Sequence, residues 1–487
     1  MAYISSNANR FYTALESAYG QVPTITAGNR IPAVKLTIQQ QLEVASRKDK
    51  TGSRTFAGLP IGGRRRTNFE LQTYLTSWQN SGGGPSYGPL FQAALGGEPL
   101  VFAGGSVASS TAAGRLGFAA AHGLNAGQAV TCSGEIRFVA AIVDAQNVQL
   151  NAPFTTLPAA GATVSAAITY VPATELPSVG IFDYWSPATA LQRLLCGAAV
   201  DQLEIDVNGD YHEFQFTGLA QDVVDSSSLG SGTGVAQALT SFPAEPALGS
   251  FDYSIVPGNL GEAWLGTSAA QFFTVTKASI VLKNDLDARM NEFGSSLPQA
   301  ISPGQRTVTA TFELYSQDDS NTAALYQAAR QQSPISVMFQ LGDAAGQLMG
   351  VYLQSVIPVV PEFDDGKNRL QWKFRPSRAQ GTVDNEIAVA FGQCHELRKP
   401  LRGGIARGGR RVLHGRQNVV RQTHGADAAG AGTGRPHGIS GGRPGTRRED
   451  GRGTAAGGNQ STVPHLGLAG YIRTATGRCR GHSGIAG

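Results

Sequence analysis

Few side chains in residues 1–392 have the types and spacing that catalysis requires. This part of the chain contains only two histidines, His122 and His212. His212 lies in a segment that alternates like a strand, and we expect it on the hydrophilic sheet face beside Asp210. A catalytic triad needs a nucleophile, a base and an orienting acid within hydrogen-bond distance, and no GxSxG motif supplies the nucleophile. The sequence therefore predicts no enzyme activity and no catalytic residues.

One short segment resembles a calcium loop but lacks its essential residues. Asp206, Asn208 and Asp210 alternate as calcium ligands do, yet the sixth position is Tyr211 rather than Gly and the twelfth is Thr217 rather than Glu. A type I′ hairpin turn at Asn208-Gly209 explains the segment better.

Glycines and cysteines give no binding site either. The run Gly230-x-Gly232-x-Gly234 follows no strand and lacks a Walker lysine, so a linker explains it better than a phosphate site. The four cysteines, at positions 132, 196, 394 and 479, are far apart and show no CxxC spacing. This spacing argues against a disulfide framework and fits a reducing compartment. We predict no metal and no cofactor.

Length and composition indicate a globular chain of several domains that does not cross a membrane. Hydrophobic residues make up 41% of the 487 residues, enough for a sizeable core. No apolar run reaches the roughly 18 residues of a membrane span. The first 20 residues lack the basic and apolar regions of a secretory signal, so we expect none.

The charge of the chain is divided between two parts. Residues 393–487 contain 16 basic and 4 acidic residues, a balance of +12, whereas residues 1–392 contain 23 basic and 31 acidic residues, a balance of −8. The basic part is rich in Arg and Gly and has one aromatic residue, so it is predicted to be disordered. Two origins are considered: a basic arm that binds nucleic acid, or a product of translation in a shifted reading frame.

The body of the chain contains an internal repeat. Three short motifs occur twice, in the same order and at similar spacing. The matching segments are 35–38 and 277–280, 69–71 and 312–314, and 90–94 and 325–329.

Each half shows strands with one apolar face and a single helix. Residues 307–314 alternate strictly between apolar and hydrophilic side chains, which is typical of a half-buried strand. In the first half Pro89 begins a helix that Gly96 ends. In the second half Asp319 or Ser320 can cap the equivalent helix. A hairpin closes each half.

These patterns predict a mainly β fold with two tandem sandwich or barrel domains. Each domain has a flanking helix, and a small β-domain is inserted in the first. The predicted parts are an N-terminal arm (1–34), the first tube-type domain (35–97 and 176–222), the inserted β-domain (98–175), a linker (223–272), the second domain (273–392) and the disordered basic segment (393–487).

Several motifs in residues 1–392 together resemble the tail tube proteins of long-tailed, non-contractile bacteriophages. No single motif is diagnostic, and residues 393–487 have no counterpart in that family. The segments that carry the resemblance are 68–75, 88–96, 207–218, 300–304, 312–314, 325–330 and 374–380.

The resemblance implies a structural subunit of the phage tail tube, located in the virion tail and assembled in the bacterial cytoplasm. Subunits of such a tube form rings in which neighbouring strands join into one barrel, and the rings stack through a long hairpin loop. With two domains per chain, it implies a trimeric ring of pseudo-sixfold symmetry. The implied partners are other copies of the chain, other tail proteins, and DNA that passes without specific binding; no membrane is involved.

Two sets of residues are predicted to serve this role. The excursions at about 43–66 and 286–304 match the place of the stacking hairpin, and an acidic channel wall would repel DNA phosphates so that DNA slides. The candidate stacking residues are Lys48, Lys50, Arg54, Arg64, Arg65, Arg66, Arg289 and Glu292. The candidate channel-facing residues are Glu204, Asp206, Glu213 and Glu313.

A different class of function also fits a β-rich chain. The inserted domain could be the binding module of a carbohydrate-binding β-sandwich adhesin, which would need exposed aromatic platforms. Its aromatic residues are Phe102, Phe118, Phe138, Phe154 and Tyr170. An enzyme is the least supported class, because His and Cys are scarce.

Overall fold

The computed structural model describes residues 3–43, 50, 52–54, 58, 63–78, 84–229, 239–248 and 253–392. Over these residues the chain is mainly β, as predicted. The strands are β1 Asn9–Leu15, β2 Arg30–Ile31, β3 Ala33–Glu43, β4 Arg64–Tyr74, β5 Leu100–Phe102, β6 Gly105–Ser110, β7 Arg115–Phe118, β8 Ala129–Cys132, β9 Glu135–Ile142, β10 Asn147–Leu150, β11 Thr163–Val164, β12 Ala167–Tyr170, β13 Val179–Trp185, β14 Arg193–Val207, β15 Glu213–Ala220, β16 Asp222–Asp225, β17 Gly261–Gly266, β18 Ala270–Gln271, β19 Val275–Lys283, β20 Asp287–Ala288, β21 Ile301–Ser302, β22 Thr307–Tyr315, β23 Ile335–Leu341, β24 Leu348–Val356, β25 Glu362–Asp364, β26 Gln371–Gln380 and β27 Ala388–Gly392.

Eight strands form one continuous antiparallel sheet that runs through both halves of the chain, which we call the inner sheet. Its strand order is β3-β4-β15-β14-β19-β22-β26-β25. The first four strands come from the first half and the last four from the second half. Along β4 and β22 the side chains alternate between the buried core and a hydrophilic face.

Two further layers cover the apolar face of the inner sheet. In the first half, β2, β1, β13, β14 and β16 pair in that order. The other sheet has the order β5-β12-β27-β24-β23-β17-β18, in which β5 and β12, from either side of the insertion in the first half, join strands of the second half. Part of the predicted arm (1–34) and part of the predicted linker (223–272) thus lie in these sheets. One buried apolar cluster extends through both halves.

A helix packs on each half where the sequence predicts it. Helix α1, Gly88–Leu95, has a proline in its first turn and ends at Gly96, whose φ of 95° favours glycine. Helix α2, Ser320–Gln331, is capped by Asp319, whose carboxylate accepts hydrogen bonds from the backbone N–H groups of Asn321 (2.8 Å) and Thr322 (3.0 Å).

The strand register corrects one motif match of the internal repeat. Ile38 pairs with Phe69, whereas its counterpart Ile280 pairs with Ala310 rather than with Phe312. If segments 35–38 and 277–280 correspond, the counterpart of Phe312 is Leu71 and the Phe-Glu-Leu match is shifted by two residues. A shift of two keeps every side chain on the same face, so alternation alone does not reveal it.

A small sheet is inserted between β5 and β12, with the strand order β11-β6-β7-β10-β9-β8 and its own buried cluster. It contacts the second half, where Phe138 stacks on Tyr352 with ring centroids 5.2 Å apart. The aromatic platform that a carbohydrate-binding module needs is not formed, because all five aromatic residues of 98–175 are buried.

The connection between β14 and β15 differs from the predicted two-residue turn. The loop spans 208–212, and Asn208 is left-handed with a φ of 62°. Tertiary contacts shape this loop, since the Asn208 side-chain amide donates to Thr276 O (2.7 Å) and Tyr211 forms a bridge with Pro257.

Candidate assembly surface

The two outer strands of the inner sheet each have one edge without a described strand partner. Within the described ranges, β3 pairs with β4 only and β25 pairs with β26 only. An open β edge offers backbone N–H and C=O groups to another strand. Phe363 in the middle of β25 is 55% exposed, so an apolar side chain accompanies this open edge.

The two halves of one chain already form such a strand-to-strand contact, which we call the intrachain junction. Strand β14, from the first half, pairs with β19, the first inner strand of the second half. Ile205 faces Ile280, and both are buried. The next pairs along the junction, Glu204 with Val281 and Asp206 with Ser279, place side chains on the hydrophilic face.

All four candidate channel residues lie on the hydrophilic face of the inner sheet. Glu204, Asp206, Glu213 and Glu313 alternate with buried neighbours on their strands. The face also carries cations, because Glu313 faces both Lys277 and Lys373. Lys373 Nζ lies 2.6 Å from the Asp364 carboxylate. The face is therefore of mixed charge rather than uniformly acidic.

Five of the candidate stacking residues lie at one end of the inner sheet, in β4 or in the hairpin after β19. Arg64, Arg65 and Arg66 begin β4 at the end where β3 finishes, and Arg289 forms an ion pair with Glu292 in the hairpin after β19. Lys50 and Arg54 are exposed. Three predicted features lie outside the described residues: Lys48, the glycine run at 230–234 and the segment 393–487.

The hairpin at 284–306 contains β20 and β21 and contacts the first half of the same chain. The backbone N–H of Arg65 donates to Ser296 O (2.9 Å), and the Gln221 side chain donates to Pro298 O (3.1 Å). Between these two hydrogen bonds Leu297 is only 6% exposed. The tip residue Phe293, in contrast, is fully exposed.

His212 is buried, which corrects its predicted place on the hydrophilic face. It stands two residues before the buried Phe214, so a period of two places it on the apolar side. Its Nε2 lies 2.9 Å from Leu260 O, and its Nδ1 has no partner. Burial lowers the pKa of His212, and the hydrogen bond to Leu260 opposes this shift.

A buried ion cluster that the sequence did not suggest fixes the inserted sheet to the second half. Arg137, with a fully buried side chain, contacts Glu135 at 2.5 Å and Glu262 at 3.0 Å, and its guanidinium lies 4.7 Å from the ring centroid of Trp264. It also donates to Gln340 Oε1 at 3.2 Å. In the sequence, a lone arginine in an apolar strand was the only sign of this cluster. Its partner Glu262 is 125 positions away, so the pairing could not be inferred from the sequence.

The described residues contain no group of three or more His, Cys, Asp and Glu side chains arranged to hold a metal ion. None of the helices in the described part has the length and apolar character needed to span a membrane.

Comparisons with known proteins identify the class. A family model described as phage tail tube protein matches residues 6–392, and the chain belongs to this family. Among solved structures, the SPP1 tail tube, determined by solid-state NMR and cryo EM, is 13% identical, with 28% of this chain and 80% of that chain covered and a TM-score of 0.23. No curated protein matches. The family implies a structural, non-enzymatic role in the virion tail and assembly with copies of itself and other tail proteins.

Proposed function

We propose that three copies of this chain close into a ring whose inner sheets form one continuous barrel, and that stacked rings make a tube through which DNA passes. The intrachain junction is the observation that carries this proposal. Within one chain β14 pairs with β19, and β25 and β3, the counterparts of these two strands, are the outer strands of the inner sheet.

The internal repeat gives the register of the contact between chains. Rows of facing residues that run across three strands match in the two halves. The matching rows are Tyr74–Glu213–Asp206 and Tyr315–Gln371–Asp364. Phe363 is therefore the counterpart of Ile205, and Ile38 is the counterpart of Ile280. In the ring, Phe363 of one chain faces Ile38 of the next, and Glu362 faces Gln39.

The side chains argue against closure of a single chain on itself. An eight-stranded barrel has an interior just wide enough to be filled by side chains. Here the hydrophilic face would become that interior, and its charged groups would lose their water. Three chains give a much wider barrel of roughly 45–50 Å between opposite backbones, from strand spacing and tilt. Water and a DNA duplex fit inside such a barrel.

The mixed charge of the hydrophilic face suits a passage without tight binding. Acidic groups such as Glu204 and Asp206 repel phosphates, while Lys277 and Lys373 lie beside Glu313. Proteins bind DNA tightly when unpaired Lys and Arg side chains neutralise phosphates and release the counterions of the DNA. Because the cations of this face lie beside carboxylates, we expect its affinity for DNA to be low.

Paired cysteines test the contact between chains. Glu362→Cys with Gln39→Cys, in a chain whose Cys394 and Cys479 are Ser, should oxidise to covalent species of up to three chains. Directly facing residues have Cβ atoms about 4.5–5.5 Å apart, within disulfide reach. The matched control, Glu204→Cys with Val281→Cys, crosses the intrachain junction and should oxidise within one chain. Oxidation of the control alone would contradict the proposal.

A further inference from the structure

The hairpin at 284–306 occupies a site on the first half that has an open counterpart on the second half. We call the occupied site the first-half cleft; Arg65 and Gln221 bind residues Ser296–Pro298 there. Register places the counterparts of these two residues. Since Tyr74 on β4 corresponds to Tyr315 on β22, Arg65 corresponds to Arg306, which directly precedes β22.

Gln221 has an equally clear counterpart on β26. Gly218 pairs with Phe69 on β4, and Ser377 pairs with Ala310 on β22, at matching positions of the two sheets. Counting three residues onward from Gly218 and Ser377 gives Gln221 and Gln380. The backbone N–H of Arg65 and the side chain of Gln221 thus correspond in position to those of Arg306 and Gln380, and in the single chain the Gln380 amide donates to Ser355 Oγ (3.2 Å).

Arg306 and Gln380 line an open cleft of about 510 Å³, which we call the second-half cleft. Its other lining residues include Val308, Ile357 and Val383. Val383 is 88% exposed. In a single chain, therefore, an apolar side chain stands at this cleft without cover, where the first-half cleft buries Leu297.

The wall of the second-half cleft is held in place before anything binds. The Arg306 guanidinium lies 2.6 Å from the Asp384 carboxylate and 2.5 Å from the Glu386 carboxylate, and it donates to Ala173 O at 2.9 Å. Because these contacts fix both Arg306 and the loop after β26, little ordering entropy remains to be lost on binding.

The sequence supplies a matching occupant in the first-half loop. A Leu-Pro pair occurs in both loops, as Leu297-Pro298 and Leu59-Pro60. Pro298 stands eight positions before Arg306, and Pro60 stands five positions before Arg65. Both Leu-Pro pairs follow a small residue, Ser296 or Gly58. Each loop connects the first two inner strands of its half, β3 to β4 or β19 to β22.

We infer that the second-half cleft binds Leu59-Pro60 of a second copy of this chain, the neighbour in the ring. The ring places the first half of the neighbour beside β25, just as the second half of the same chain stands beside β14. Each loop then occupies the cleft of the domain next to it. This inference rests on the proposed ring and adds a lock between neighbours that is separate from the strand contact.

A pair of matched variants tests the inference. Leu297→Asp should lower the unfolding midpoint of the dilute single chain, because Leu297 is buried within its own chain. Leu59→Asp should raise the concentration needed for ring formation about tenfold or more, because the inference places Leu59 in the cleft of the neighbouring chain. Rings of Leu59→Asp that assemble as the wild type does would overturn the inference.

A crosslink gives a second measurement on assembled rings. Pro60→Cys with Gln380→Cys should be joined by a short bismaleimide between chains, whereas Pro298→Cys with Gln221→Cys should be joined within one chain. Wild-type rings together with a linked control and an unlinked test pair would overturn the inference and leave the ring proposal intact. Absence of rings in the wild type would contradict the ring proposal, and with it this inference.

Discussion

Ile205 on β14 lies directly opposite Ile280 on β19, and both side chains are buried where the two halves of the chain meet. Each residue belongs to a strand whose counterpart, β25 or β3, ends the inner sheet with an open edge. The contact that a ring requires between chains is thus already formed once within each chain. The predicted duplication of one domain would account both for this contact and for the complementary edges.

The exposed side of β25 offers the first test of the ring. Phe363→Asp should lower the free energy of unfolding of the single chain by about 1 kcal/mol, because Phe363 stacks on Trp372 with centroids 5.4 Å apart. Ring formation should weaken by tenfold or more, since a carboxylate would be buried opposite Ile38. Mass photometry over a concentration series measures this. Leu157→Asp, at an exposed position in the loop between β10 and β11, is the control and should assemble normally.

Stacking of rings can be separated from their closure. Phe293 is fully exposed at the tip of the hairpin that follows Lys283, at one end of the inner sheet. Phe293→Ser should leave rings intact but shorten or abolish tubes, because an exposed aromatic side chain is available to pack against the next ring. Electron microscopy of negatively stained samples gives tube lengths. Tubes of normal length would remove Phe293 from the stacking contact.

The buried arginine of the inserted sheet should be important for stability. Arg137→Met would leave Glu135 and Glu262 without their cation, and we expect a loss of about 3–5 kcal/mol in the free energy of unfolding. Adding Glu262→Gln to this variant should restore part of the loss. Urea denaturation of the wild type, the single variant and the double variant measures both effects. A loss below about 1 kcal/mol for Arg137→Met would show that the ion cluster does not hold the inserted sheet.

His212 should make the stability of the chain depend on pH. Burial lowers the pKa of His212 in the folded chain, so the unfolded chain binds a proton first as pH falls. The stabilisation is fully present above the unfolded pKa of about 6.5 and is lost progressively as pH falls toward the lowered folded value. Unfolding of His212→Gln and of the wild type should be compared at several pH values. His212→Gln should show the smaller decline in the free energy of unfolding between neutral and mildly acidic pH, and an equal decline would contradict this prediction.

Much of the fold follows from alternation and helix signals. The strict alternation of 307–314 identified β22 and its buried face, and the positions of Pro89, Gly96 and Asp319 identified both helices. Such local patterns are sufficient to identify these elements, because a strand or helix that buries one face repeats its apolar residues with the period of that element.

The register and the distant contacts were beyond these patterns. A shift of two residues in the alignment of two strands keeps every side chain on the same face. Alternation alone therefore matched Phe69 with Phe312, whereas the strand pairing matches Phe69 with Ala310. Arg137 meets Glu262 only after the inserted sheet folds back onto the second half. The sequence named Arg65 and Arg289 as loop residues, but the contact of Arg65 with Ser296 needed the tertiary structure.

The number of chains in one ring tests the central claim most directly. Because each chain contains one inserted sheet, at 105–164, a ring of three chains has six tube domains but only three inserted sheets. Cryo electron microscopy of isolated rings should therefore show three outer protrusions at 120° intervals around a continuous inner barrel. Six protrusions at 60° intervals, from six separate chains, would contradict the account.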